Sequence, residues 1–525
     1  MTRPCWKCGA PATIPQLEFP QTTESSLALS DLLSSNEVPD EKITLQIRDI
    51  VSNGQAQVDA LDIQINSLAI TLAQLMRSRD KIAERVRQHR AIISSVRRVP
   101  QELLCEIFAA AVLPDEETTA NEGNIANPPW HLGHICRAWR HAALGYAPLW
   151  SSITIPSSTL PVRSRILLPQ VKAQLHRSAN APLDIILRDI QPDVSIPLLD
   201  PVFAHSNRWR SLCLHFDHLY PRTPLKWLHP VDMQLDQLEK LEIAKAYDTE
   251  IPDIFSAAAR LRQVILCDWR FEIYSPFVTI PWHQITHYRG TYAWTRQIQI
   301  LEAAPNLVDC VLGFESFDDS SSNDLVVMNH LCRLRIEKPG FLIHLTAPSL
   351  RTLHCVYNSE SLLSLLPAFI LRSSCSLQEL SLTDCAITSE LIMVLQSLPN
   401  LTSLFLESDG DVMAQQKQSV LFEAFTISGT SHEYLCPNLT SFVYGFPLRF
   451  PHELFFAMLR SRVGESSPSP SPRWMFLRLF DAHENSDICP PEMATLFETL
   501  RATGCDAAFL GEDGTDRLKA KGVVF

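Results

Sequence analysis

Leu377-Gln-Glu-Leu380-Ser-Leu382 and, 24 residues later, Leu401-Thr-Ser-Leu404-Phe-Leu406 decide how this chain is read. In each, the second half alternates apolar with outward residues, the period of a strand with one face buried. The same strict form occurs at Leu238-Glu-Lys-Leu241-Glu-Ile243 and Leu331-Cys-Arg-Leu334-Arg-Ile336. A looser apolar version starts at Trp209, Leu238, Leu261, Ile285, Leu307, Leu331, Leu350, Leu377, Leu401, Leu439 and Trp474. The first eight steps are 19 to 29 residues and the last two are 38 and 35. With 46% apolar residues a single loose match means little, so regular spacing carries the inference.

A unit this short cannot bury its apolar face alone, and stacked neighbours supply the core. The spacing is that of leucine-rich repeats and predicts an irregular solenoid over 205–525, with residues 492–501 as a closing helix. Cys385 falls where such repeats often carry Cys or Asn. Insertions at 409–437 and 460–473 account for the long steps, and Asp318–Asp324 and Ser466–Pro472 read as low-complexity loops. The outward positions form one shared surface, including Lys240, Glu242, Asp309, Glu337, Glu379 and Glu407. His287, Arg289, Arg333, Arg335 and His354 line up there as a positive stripe suited to an acidic or phosphorylated target segment. Salt bridging to Glu337, Glu379 and Glu407 is the equally weighted alternative.

Upstream the pattern changes. Residues 1–40 are rich in proline and serine and read as a disordered tail, with Cys5 and Cys8 forming half of a zinc-type site and no second pair nearby. Residues 41–95 are expected to form one coiled-coil helix. Fifteen seam positions run from Ile47 to Val96 in steps of four and three, and only Gly54, Arg79 and His89 among them are not apolar. Such a stripe predicts self-association or packing on the protein's own body. The helix ends in a basic run from Arg77 to Arg98, read as a solvated face because no aromatic residues interleave with it.

Between the helix and the array, residues 96–155 form a small helical unit. Pro100 suits a first helical turn, and Leu103, Leu104, Ile107 and Phe108 form a stripe behind it. A second helix carries Ile135, Cys136, Trp139, Ala142 and Ala143, and Pro148-Leu149-Trp150 closes the unit. The constellation Val99-Pro100-x-Glu102-Leu103-Leu104-x-x-Ile107-Phe108, Ile135-Cys136-x-x-Trp139-Arg140-x-x-Ala143 and Pro148-Leu149-Trp150 resembles the F-box, in the divergent form common among fungal F-box-like proteins. An acidic insertion, about Pro114–Pro129, departs from the compact form. The resemblance covers about a tenth of the chain. It implies that Pro100, Leu103, Leu104, Ile107, Phe108, Ile135 and Trp139 dock on the Skp-type adaptor of a cullin-based ubiquitin ligase. Residues 156–204 are then a linker or capping segment.

The net charge of 45 − 58 = −13 disfavours a nucleic-acid partner. No apolar stretch approaches a membrane span, and the amino-terminus lacks a signal core. Fourteen scattered cysteines read as reduced thiols of the cytoplasm or nucleus. No phosphate loop, H-E-x-x-H or G-x-S-x-G motif occurs, so no catalysis, cofactor or metal is expected. The expected fold is α + α/β repeat. The expected role is a substrate receptor of a ubiquitin ligase. The alternative is a coiled-coil and leucine-rich-repeat scaffold with no ligase role.

Overall fold

The computed structural model describes residues 32–35, 37–112, 129–155, 161–188, 199–215, 233–244, 253–267, 278–314, 325–356, 362–383, 387–407, 415–427, 435–445, 452–463, 476–480, 491–502 and 504–510. The Cys5/Cys8 pair, the acidic insertion, Cys385, Trp474 and the loops Asp318–Asp324 and Ser466–Pro472 lie outside them. The chain divides into two compact units, residues 1–100 and 101–525, each taken by itself.

In the first unit a long helix, α1, spans Glu41–Ile92. Asp40 caps it: its Oδ1 accepts from the Ile43 amide at 2.7 Å, satisfying one of the free N–H groups of the first turn. At 1.5 Å per residue its 52 residues reach about 78 Å. No residue of α1 is buried, and its seam side chains Val58, Ile65, Leu68, Leu72, Leu75 and Ile82 are all exposed. No helix among the described residues is long and apolar enough to cross a membrane.

The second unit opens with a helical module. Helix α2 (Gln101–Val112) packs with α4 (Arg137–Gly145), against which the short α3 (Leu132–Ile135) also lies, and a 3-10 turn, Ala147–Trp150, closes the module. Leu104, Phe108, Ala142, Ala143, Leu149 and Trp150 form its buried interior. The Trp150 indole donates to the Ala143 carbonyl at 2.7 Å, so the largest side chain is buried without stranding its N–H. The Arg177 guanidinium lies over both the Trp130 ring (4.5 Å) and the Trp150 ring (4.4 Å), tying helix α5 (Pro161–Arg177) to the module.

Fourteen described strands then form one parallel sheet. In chain order the strands are β1 (Ser152–Ile155), β2 (Leu183–Arg188), β3 (Trp209–His215), β4 (Lys240–Ala244), β5 (Gln263–Cys267), β6 (His287–Tyr292), β7 (Asp309–Phe314), β8 (Val326–Val327), β9 (Arg333–Ile336), β10 (Leu345–Thr346), β11 (Thr352–Cys355), β12 (Glu379–Leu382), β13 (Ser403–Glu407), β14 (Ser441–Gly445), β15 (Phe476–Phe480) and β16 (Asp506–Leu510). Each pairs with the next, except that β8 and β10 form a separate parallel pair and β7 passes directly to β9. Parallel neighbours need a crossover between them. Short 3-10 turns serve in one part and helices in another, including α6 (Trp294–Ala303), α7 (Leu362–Ser373), α8 (Ser389–Gln396), α9 (Gln415–Phe425), α10 (His452–Val463) and α11 (Pro491–Ala502).

Trp209, Leu238, Leu261, Ile285, Leu307, Leu331, Leu350, Leu377, Leu401 and Leu439 are each buried at or just before the start of a strand. The alternating leucines of the strands, such as Leu380, Leu382, Leu404 and Leu406, fill the same continuous core. The segment 156–204, expected as a linker or capping segment, supplies α5 and β2, and β1 and β2 extend the sheet before residue 205. Residues 492–501 do not close the array, because β16 follows α11 and pairs with β15.

Polar side chains stitch the irregular connections, where backbone carbonyls lie outside the ladder. Arg208 donates to the Ala181 carbonyl at 2.7 Å, Arg372 to that of Leu342 at 2.6 Å, and Arg462 to those of Phe425 (2.8 Å), Leu435 (2.5 Å) and Cys436 (3.3 Å). Gln297, fully buried in α6, donates to the carbonyls of Gly290 (3.0 Å) and Gly313 (2.9 Å) and accepts from the Tyr288 hydroxyl (3.0 Å). Glycine at 290 leaves room for that network, since a Cβ there would fall 2.0 Å from the Tyr288 oxygen. The Gln297→Leu variant therefore removes three buried hydrogen bonds at once. It is expected to lose about 2–4 kcal/mol of stability, read as a lower urea midpoint.

Candidate functional site

The residues expected to dock an adaptor divide into two groups. Leu104 and Phe108 are buried, and Trp139 packs on Phe108 with ring centroids 4.9 Å apart. Leu104 and Phe108 hold the module together rather than face outward, and Trp139 is half-buried beside them. Leu103 (55%), Ile107 (52%) and Ile135 (60%) are exposed, and so is Pro100. Leu103 and Ile107 lie four residues apart on α2, hence on one face, one turn above the other. Two large aliphatic side chains held side by side in water form an apolar patch with no cover among the described residues of the second unit. The Cys105 thiol, turned to the opposite side, is pushed up by burial and by Glu102 and Glu106.

The sheet presents its non-core positions in rows fixed by the register. One row runs Asp184, Ser211, Lys240, Gln263, His287, Asp309, Arg333, Thr352, Glu379 and Ser403. The next runs Cys213, Glu242, Ile265, Arg289, Val311, Arg335, His354, Ser381 and Phe405. The five residues of the expected stripe all lie in these rows, but they do not make a continuous ridge. Strand β7 intervenes between β6 and β9 and places Asp309 and Val311 among them. Asp309 Oδ2 accepts from Arg333 Nε at 2.8 Å, and this contact holds the guanidinium's pKa up. His354 is held below the usual imidazole range, first by burial and then by the Arg335 cation, so it adds little positive charge near neutral pH. The row therefore offers Arg289 and Arg335 as two cationic points with one strand between them, roughly 9.6 Å apart at 4.8 Å per strand step. Salt bridging does occur, through Asp309 rather than through Glu337.

Toward the starts of β3 to β6 lies a groove of about 830 Å³ lined by Asp184, Arg210, Lys240, Arg262, Gln263 and His287 among others. Of its cations, Arg210 is spoken for by a two-pronged contact with Asp184. Lys240 and His287 were expected on this face from the sequence.

One cluster on this face was missed. Cys213 and His215 on β3 and Glu242 on β4 bring a thiol, an imidazole and a carboxylate within 4.8 Å of one another. His215 Nε2 and Glu242 Oε1 are 3.3 Å apart, and Lys240 Nζ holds the other carboxylate oxygen at 3.3 Å. Against the cost of burial, the His215 hydrogen bond, and after it the Lys240 ammonium, pull the Glu242 carboxyl down to about 2. Burial is the largest cause pushing the Cys213 thiol up, with Glu242 adding to it. The signal was present in the sequence: Cys213-Leu-His215 and Lys240-Leu-Glu242 both alternate polar with apolar residues, and Cys213 and Glu242 each stand four residues after the first apolar position of their unit, Trp209 and Leu238. Reading outward positions only from Lys240 onward passed over β3. The described cysteines are free thiols. No protein-family model matches the chain, and no curated protein matches it.

Proposed function

We propose that this protein is a non-catalytic, F-box-like substrate receptor of a cullin-based ubiquitin ligase. In this reading the module of residues 96–153 holds a Skp-type adaptor, and the sheet-bearing array, read as an irregular leucine-rich-repeat solenoid, holds the target. The observation that carries the reading is the division of labour in α2. Leu104 and Phe108 are spent on the module's interior while Leu103 and Ile107 stand exposed, an apolar face left for another protein. Serial parallel pairing of short strands supports the second half, because it displays a long row of side chains on one surface. The test is co-purification of the full-length protein with a recombinant Skp-type adaptor. A soluble, folded wild type that captures none removes the ligase reading and leaves the scaffold.

The target is placed on the outward rows, with Arg289 and Arg335 as its anchors. Replacing both with Ala is expected to leave adaptor capture and the melting temperature unchanged, because both side chains are exposed. It is expected to remove a subset of partners found by proximity labelling. An unchanged partner set moves target binding off this face.

Self-association is assigned to α1. Its exposed apolar seam fits a second copy of the same helix. The full-length protein is expected to sediment as an oligomer, and Leu68→Glu combined with Leu75→Glu to sediment as a monomer. A monomeric wild type at tens of micromolar would refute the assignment.

A further inference from the structure

We propose that Cys213, His215 and Glu242 bind a zinc-type divalent cation through three protein ligands, with a fourth position open on the outward face of the sheet. No metal was expected from the sequence, and this proposal stands apart from the adaptor reading. The three side chains come from adjacent strands whose register is fixed by the ladder, Cys213 opposite Glu242 and His215 opposite Ala244. Their intervening neighbours Leu212, Leu214, Leu241 and Ile243 are buried in the core, so the strands cannot rotate the ligands away without losing it.

The spacing fits the chemistry. Two donors about 2.0 Å from a tetrahedral zinc ion stand about 3.3 Å apart. His215 Nε2 and Glu242 Oε1 are already separated by 3.3 Å. The Cys213 sulfur lies within 4.8 Å of both and closes the remainder by a small side-chain rotation. One thiolate, one imidazole and one carboxylate form a mixed, fairly soft set that selects zinc or cobalt over calcium or magnesium, which take oxygen ligands. Lys240 does not block the site. It holds Oε2 at 3.3 Å, leaving Oε1 to the metal, and so acts as the outer partner that orients a ligating carboxylate. On binding, the Cys213 thiol gives up its proton to solvent and His215 presents the Nε2 lone pair with its proton on Nδ1. All three side chains are half-buried, so a bound ion would keep one side open to water or to a donor from a docked protein.

The experiment is a Co²⁺ titration of the full-length, metal-stripped protein carrying Cys5→Ser and Cys8→Ser, so that the amino-terminal pair contributes nothing. The expected result is one equivalent bound, with a thiolate-to-cobalt charge-transfer band and the visible bands of four-coordinate cobalt, both bleached by Zn²⁺ and unaffected by equal Mg²⁺. Adding Cys213→Ser should abolish the charge-transfer band and weaken binding at least tenfold. His215→Gln should weaken binding at least tenfold while leaving the melting temperature in chelator unchanged, which separates ligation from folding. Absence of the band in the parent protein, or the same band and affinity in the Cys213→Ser protein, overturns the proposal.

Discussion

Aspartate at both Leu103 and Ile107 is expected to weaken capture of a Skp-type adaptor by at least about a hundredfold, close to 2.7 kcal/mol, with no change in the melting temperature. The two halves of this expectation have separate causes. Both side chains are about half exposed, at 55% and 52%, so the native fold gains little from them and loses little when they become charged. A docked partner, in contrast, would have to desolvate two carboxylates with no counter-charge, at a cost of about 1–3 kcal/mol or more for each. Leu104→Asp or Phe108→Ala would not make the same test. Those residues are 5% and 0% exposed, and their loss would unfold the module before any docking could be measured. Calorimetry with purified adaptor, alongside thermal melts of both proteins, reads the two halves together. Equal affinity of variant and wild type would place the docking face elsewhere on the module.

Arg462→Met is expected to destabilise the carboxyl-terminal part of the array by about 3–5 kcal/mol, the largest effect foreseen for a residue outside any proposed interface. Its side chain is 2% exposed, and its guanidinium reaches the carbonyls of Phe425, Leu435 and Cys436 from α10. Methionine matches the stem but donates nothing, so the buried carbonyls of Phe425 and Leu435 lose this donor and that of Cys436 keeps the Leu439 amide (3.1 Å). Lysine is expected to rescue only in part, because one compact ammonium cannot reproduce a planar fork aimed at three oxygens. Urea unfolding followed by circular dichroism should show an early partial transition rather than a uniform shift, since each strand of the sheet pairs only with its immediate neighbours. A loss below about 1 kcal/mol would mean that water reaches these carbonyls.

Why the strands were legible and other features were not follows from how much of each signal is local. A strand with one face in the core must alternate, so Leu380 and Leu382, or Leu404 and Leu406, announce both their secondary structure and their burial. Strands β1 and β2 carry the same alternation, in Ile153 and Ile155 and in Leu183, Ile185 and Leu187, but β2 has Pro182 at the leading offset, and Trp150, which stands there for β1, also closes the helical module. Turns left a signal too. Pro305-Asn306-Leu307, Pro399-Asn400-Leu401 and Pro437-Asn438-Leu439 each precede a strand by two residues or fewer. Their asparagines bind back to the previous connection, Asn306 to the His283 carbonyl at 2.7 Å and Asn438 to that of Pro399 at 3.0 Å. Charge pairing was the least legible. Arg333 lies between Glu337, four residues on in the chain, and Asp309, 24 residues back, and only the register of β7 against β9 decides in favour of Asp309. Which half of an apolar helix faces its own core was equally hidden. Leu103 and Leu104 are adjacent and identical in chemistry, and only packing separates them.

Because each strand of the large sheet lies against the one made just before it, the chain never has to wait for its far end. Corresponding positions of paired strands from β3 to β15 are 19 to 38 residues apart, as with Arg333 and Thr352 or Ser403 and Ser441. At roughly 5–20 residues per second on a ribosome, each strand would meet its finished neighbour within about 1 to 8 seconds of leaving the exit tunnel. Synthesis and assembly can then proceed in step, with one unpaired edge exposed at a time, and a stalled or truncated chain would still carry a properly paired amino-terminal portion of the sheet.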